Sequence, residues 1–143
     1  MVISVIEHGS EAYLQMVELR TEILRKPLNL VYIQEQLALE ISDILLAAQE
    51  NNLIIGCCIL TQLPDSQLQL RQMAVANSNQ GKGVGAAIIL FAEILAKEKN
   101  QKEIVLHARE TAVGFYQKLG YNTFGNSFLE VGITHFMMQK RLS

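Results

Sequence analysis

Apolar positions along the chain repeat with two different periods, and the changes of period predict where elements begin and end. Residues 2–7 form a first short apolar run that stops at His8-Gly9. Ser10 stands where an N-cap belongs, ahead of a helix reaching about residue 24 with Leu14, Val17 and Leu19 among its apolar positions. Pro27 interrupts regular structure, and a second short helix is expected over 31–39. From Asp43 the period shortens. Residues 44–50 and 53–63 read as strands joined around Asn51-Asn52, a hairpin signal. The turn Leu63-Pro64-Asp65-Ser66 leads into 67–76, where Leu68 and Leu70 occupy one face and Gln67, Gln69 and Arg71 the other.

Beyond residue 83 the helical period returns, with Val84, Ala87, Ile88, Phe91, Ile94 and Leu95 predicted to form one stripe against the sheet. Ile104-Val105-Leu106 is a buried strand reached by a helical crossover, so it should run parallel to 67–76. Thr111 is placed to cap a short helix turning Ala112, Phe115, Tyr116 and Leu119 inward, with Gly120 ending it. Strands at 121–124 and 135–140, joined by a loop through Gly125-Asn126, close the chain. The order β-α-α-β-β-β-α-β-α-β-β describes a mixed α/β (α+β) fold, expected to be one domain over 1–143.

Composition narrows the classes of function. With 12 Lys and Arg against 14 Asp and Glu, the net charge is −2, which offers no basic footprint for nucleic acid or an anionic membrane. No run approaches the ~18 apolar residues of a membrane span. The amino-terminal residues do not pair a basic region with a long apolar one, so no signal peptide is expected. The two cysteines, Cys57 and Cys58, are neighbours on a strand and should point to opposite faces. They read as core thiols of a cytoplasmic protein, and no second pair suggests a metal cluster.

The candidate chemistry begins at Gln80-Gly81-Lys82-Gly83-Val84-Gly85-Ala86. A glycine-rich turn opening a helix presents unpaired N–H groups and the positive end of the helix dipole, a setting for phosphate. A P-loop requires Ser or Thr after its final Gly-Lys, whereas Gly85 is followed by Ala86-Ala87. The dinucleotide pattern G-x-G-x-x-A fits Gly81, Gly83 and Ala86, but four residues separate the turn from its strand and too few βα units follow. The remaining pattern, Q/R-x-x-G-x-G/A, is matched by Gln80, Gly83 and Gly85.

With that pattern the chain resembles the GNAT superfamily of acyl-CoA N-acyltransferases. A second segment, Ala112-Val113-Gly114-Phe115-Tyr116-Gln117-Lys118-Leu119-Gly120-Tyr121, is similar to the family's A-x-x-F-Y-x-K-x-G-F/Y. The resemblance spans about residues 43 to 141. Within the superfamily, Leu19-Arg20-Thr21-Glu22-Ile23-Leu24-Arg25-Lys26-Pro27-Leu28 resembles the L-R-x-x-V-L-R-x-P-L opening of the ElaA and YjcF-like bacterial branch. Glu130-Val131-Gly132-Ile133-Thr134-His135 resembles that branch's E-x-G-I-P-H, with Thr134 in place of proline. The implied fold is a mostly antiparallel sheet of about six to seven strands flanked by about four helices.

The implied activity is transfer of an acetyl group from acetyl-CoA to an amine. A non-catalytic acyl-CoA-binding or regulatory module of the same fold is the alternative. The resemblance places the thioester and pantetheine along the main chain at Met73, Ala74 and Val75, and the coenzyme pyrophosphate on Gln80, Gly81, Lys82, Gly83, Val84, Gly85 and Ala86. It adds contacts at Phe115 and at Arg109, where many relatives carry asparagine. Tyr116 is the expected general acid, since a phenol near pKa 10 sits only modestly above a thiolate near 8.5. The base stays open among His107, His135, Glu130 and Glu40, and the cleft is expected beside Arg20, Arg25 and His135. No metal is expected. The acceptor is a small-molecule or peptide amine, and family habit allows a homodimer.

Overall fold

The computed structural model describes residues 1–142. Its centre is a seven-stranded sheet in the order β1-β2-β3-β4-β5-β7-β6. The strands are β1 (Val2–Ile6), β2 (Ile44–Glu50), β3 (Leu53–Leu63), β4 (Gln67–Val75), β5 (Glu103–Arg109), β6 (Asn122–Glu130) and β7 (Ile133–Arg141). The helices are α1 (Glu11–Arg20), α2 (Gln34–Ala38), α3 (Val84–Glu98) and α4 (Val113–Lys118). Only β4 and β5 run parallel, as the crossover through α3 requires; every other pairing is antiparallel. Strand and helix number therefore agree with expectation.

Two apolar cores lie on the two faces of the sheet. One is formed by α3 and α4 over Leu46, Cys58, Leu68, Leu70, Ile104 and Leu106, the other by α1 over Leu45, Ala47, Cys57 and Ile59. The adjacent thiols thus divide between the faces as strand alternation demands, and both are free and buried. Gly56 lies where α3 presses closest: a Cβ there would stand 2.8 Å from Ile88 Cδ1 and 2.9 Å from Val84 Cγ1.

Several elements depart from the one-dimensional pattern. Ser10 does cap α1, accepting from the amide of Tyr13, but the α-helix stops at Arg20 and continues as a π-helical turn, Thr21–Arg25. Its buried residues are Tyr13, Met16 and Arg20, while Leu14 faces outward. The second helix is a short α2 followed by a 3-10 turn, Leu39–Ser42. In α3 the sheet side is Val84, Ile88, Ile89, Ala92 and Ala96, and Ile94 is exposed. Of the expected stripe, Val84 and Ile88 are buried and Phe91 and Leu95 pack against the same core, and it is Val84 and Ile88 that make the close approach over Gly56. Phe115 is likewise turned outward from α4, and a 3-10 turn, Glu110–Ala112, replaces the Thr111 cap. Gly120 ends α4 as expected, with φ 95° and a hydrogen bond from the Tyr121 amide back to the Tyr116 carbonyl. Gly125 and Asn126 lie within β6 as part of an irregularity between Phe124 and Phe128, and the turn to β7 is Val131-Gly132. As an edge strand, β6 tolerates that break.

Candidate active site

The site starts from a bulge. In β3–β4 the register runs Cys57↔Ala74 and then Ile59↔Arg71, so Cys58 faces one residue too many on β4. Gln72 absorbs the excess with φ 56°. The bulge reverses the facing of the strand: Leu68 and Leu70 belong to the α3 core, whereas Ala74 belongs to the α1 core and Val75 packs with the α3 side. It also ends the parallel pairing, which covers only Gln67–Leu70 against Glu103–Leu106. β5 continues beside β7 as far as Arg109↔His135, so the two parallel strands part. Along Met73, Ala74 and Val75, β4 has no register partner on its β5 side. An edge of this kind offers N–H and C=O groups to an extended ligand carrying amides.

At the end of β4 the chain enters the glycine turn. Gly81 and Gly83 have φ of 78° and 82°, a region that disfavours any side chain, and a Cβ at either would meet no atom within 4 Å. The first helical bond of α3 is from the Ala87 amide to the Gly83 carbonyl. Among the described residues, the amides of Gly81, Lys82, Gly83, Val84, Gly85 and Ala86 have no main-chain acceptor. Gln80 braces the turn, donating to the Val75 carbonyl at 3.0 Å and to Asn77 Oδ1 at 3.2 Å. Lys82 is exposed. Gly85 touches the second motif, since the Phe115 ring lies 3.3 Å from where its Cβ would be.

Tyr116 is 6 % exposed and packs edge-on against Phe115 and Tyr121. Burial, with a smaller effect of the Cys58 thiol, holds its phenol well above the usual range. Cys58 is the residue opposite the bulge, and it shares its core with Tyr116. Every fully buried side-chain polar atom among the described residues has a partner. The Tyr116 hydroxyl has none there, so its oxygen reaches open space from an otherwise buried ring. Neighbouring Tyr121 instead donates to Glu93 Oε2 at 2.9 Å, and Lys140 holds Glu93 Oε1 at 3.0 Å.

Three base candidates come together on the opposite wall. Glu130 Oε1 lies 2.9 Å from His107 Nδ1, and Glu130 Oε2 lies 3.5 Å from His135 Nε2. A carboxylate only accepts, so in the neutral His107 ring the proton sits on Nδ1 and the lone pair on Nε2. His135 is buried, and its Nδ1 donates to the Ile133 carbonyl at 2.8 Å. His107, Glu130, His135, Arg25, Arg71 and Arg109 line a cavity of about 330 Å³ with Gln72 and Met73 of the bulge.

Glu40 is not a base. It is 4 % exposed and receives Arg20 through both oxygens, at 2.8 and 2.7 Å, and the Tyr13 hydroxyl at 2.6 Å. Burial alone would raise its carboxyl, but these donors outweigh it and hold it below the usual range. The same pairing removes Arg20 from the cleft: it is wholly buried, whereas Arg25 and His135 do line it. Two residues escaped the sequence reading. Tyr32 stacks under both Arg20 and Arg25, 4.5 and 4.4 Å from ring centroid to guanidinium carbon, and donates to Gln72 Oε1 at 2.5 Å. Gln72 had a faint signal, being a polar residue at the parity occupied by Leu68 and Leu70. Among the described residues no group of three or more His, Cys, Asp or Glu is arranged to hold a metal ion, and no helix is long and apolar enough to cross a membrane.

A sheet split at a bulge, with a glycine turn beyond the split and an aromatic helix beside it, defines an acyl-CoA transferase type of fold. Residues 15–142 match the family described as acetyltransferase (GNAT) domain, and the chain belongs to that family. The uncharacterized N-acetyltransferase YjcF of Bacillus subtilis is 32 % identical over 80 residues, 55 % of this chain and 57 % of that protein. The chain spans about half the length of the curated relatives it matches first. An acyl-CoA N-acyltransferase from Pseudomonas aeruginosa superposes with a TM-score of 0.84 at 18 % identity, covering 97 % of this chain and 98 % of that one. An aminoglycoside 6′-N-acetyltransferase complexed with coenzyme A gives 0.84 at 16 % identity, covering 100 % and 98 %. These structural likenesses establish the fold.

Proposed function

We propose that the protein is an N-acetyltransferase that moves an acetyl group from acetyl-CoA directly to an amine. One observation carries this reading: β4 has no β5 partner along Met73, Ala74 and Val75, and the chain passes from that free edge directly into a turn whose Gly81 and Gly83 have positive φ. The amides of Gly81, Lys82, Gly83, Val84, Gly85 and Ala86 hold the coenzyme pyrophosphate, with Gln80 fixing the turn and Phe115 closing one side. Met73, Ala74 and Val75 pair through their main chain with the pantetheine amides and the thioester carbonyl. The amine nitrogen attacks that carbonyl carbon, a C–N bond forms, and the C–S bond breaks. The proton lost from nitrogen goes to His107 Nε2, whose orientation Glu130 sets. His135 Nε2 stands 3.5 Å from the other oxygen of Glu130.

Tyr116 faces the departing sulfur. Its raised pKa makes outright proton transfer less favourable than for a free phenol, so its contribution is a hydrogen bond to the thiolate as charge develops. Two buried free thiols fit a reducing, cytoplasmic setting. The direct experiment is release of free coenzyme A from acetyl-CoA across a panel of amines, with calorimetric binding of coenzyme A alongside. Amine-dependent release supports the transferase, while coenzyme binding without release for any amine assigns the chain to a non-catalytic acyl-CoA-binding module.

A further inference from the structure

We propose that the acceptor is a small amine that also carries a carboxylate, on an apolar body of amino-acid size. This rests on the acetyltransferase reading of the cleft. Arg25, Arg71 and Arg109 all line the cavity beside His107, whose one carboxylate, Glu130, is hydrogen-bonded to His107. The chain as a whole has net charge −2, so this concentration of cations runs against its average. Arg71 is partly neutralised, with Asp43 at 3.8 Å and Thr61 at 3.2 Å. Arg25 is held by the face of Tyr32, which orients the guanidinium without cancelling its charge. Arg109 ends β5 opposite His135 and forms no ion pair among the described residues.

Planar guanidinium groups of this kind match a carboxylate through paired N–H donors. Leu24, Leu28 and Leu30 supply an apolar wall to the same cavity. At about 330 Å³ the space suits a small molecule. A polyamine or a polycationic amino sugar would meet an excess of like charge along this lining. Placing Arg109 here assigns it to the acceptor and not to the coenzyme.

The test uses leucine, its carboxamide, spermidine and kanamycin as acceptors with acetyl-CoA. Leucine should have a kcat/KM at least about tenfold above the carboxamide, the scale of one charge-assisted pair, with both polycations poorer still. Arg25→Gln and Arg109→Gln should each raise KM for leucine about tenfold while KM for the carboxamide and Kd for coenzyme A stay within about twofold. Arg25→Lys, which keeps the charge, should recover part of the loss. Equal use of leucine and its carboxamide, preference for a polycation, or weakened coenzyme binding in the arginine variants overturns the proposal. If no amine is acetylated, N-acetylleucine and N-acetylleucinamide are titrated into the coenzyme A complex. Tighter binding of the carboxylate, lost in Arg25→Gln, upholds the anion subsite while the transferase reading falls; equal binding overturns both.

Discussion

Tyr116 and His107 show how environment decides what a side chain does. Both were legible as candidates, one from its place in a motif and one from its chemistry. The structure distinguishes them by what surrounds each: a buried ring with an unpaired hydroxyl, and an imidazole whose Nδ1 is committed to Glu130. Tyr116→Phe should reduce kcat by about 10²-fold while coenzyme affinity stays within about threefold, because only the developing thiolate needs the hydroxyl. Unchanged turnover in the purified variant would remove that role. His107→Gln should cost a similar factor and regain activity with added imidazole, and His135→Gln should show no such rescue. Glu40 teaches the converse. Nothing in one dimension announces that its carboxylate is the partner of Arg20, since the pairing is made by a chain reversal between α1 and the 3-10 turn at Leu39–Ser42.

At the scale of elements, the turn into α3 was the most readable part of the chain, because positive φ and anion binding both demand glycine at the same places. Gly83→Asp brings backbone strain and a carboxylate to the site proposed for the pyrophosphate, and should weaken coenzyme A binding by at least about 100-fold by calorimetry. Affinity at the level of the parent protein would dismiss the phosphate cradle. The orientation of α3 was readable in part: Val84, Ile88, Phe91 and Leu95 meet the core as expected, but Ile94 is exposed, because Leu90 and Ile94 are as apolar as the residues that face the sheet. Beneath Val84 and Ile88 the sheet offers Gly56, which lets the helix come close. Gly56→Ala forces a methyl within 3 Å of both Val84 and Ile88 and should destabilise by about 1–3 kcal/mol, seen as a lowered Tm. The bulge at Gln72 is a third case. It is one residue long, yet it opens the cleft, and its trace in the sequence is a single polar residue out of phase.

Across the whole molecule, the buried Arg20–Glu40–Tyr13 network ties the lobe that precedes β2 to α1 over one face of the sheet. Glu40→Gln strands the Arg20 charge and should cost about 3–5 kcal/mol at neutral pH by chemical denaturation. The folded carboxyl of Glu40 is depressed, so its contribution is present above the unfolded value near 4.3 and is lost as pH falls through the folded one. The gap between parent and variant should therefore narrow in acid. A gap that does not change with pH would mean that Glu40 is not ionised in the fold.

By itself the sequence determined the succession of elements, the parallel step at β4–β5 and the glycine turn, because each follows from local period, connection length or backbone geometry. It also carried both family motifs. Where the two parallel strands part, which carboxylate is locked away and which three arginines line one cavity were decided only in the tertiary structure. Those outcomes depend on contacts between residues far apart in the chain, such as Arg20 and Glu40, and no local pattern records them.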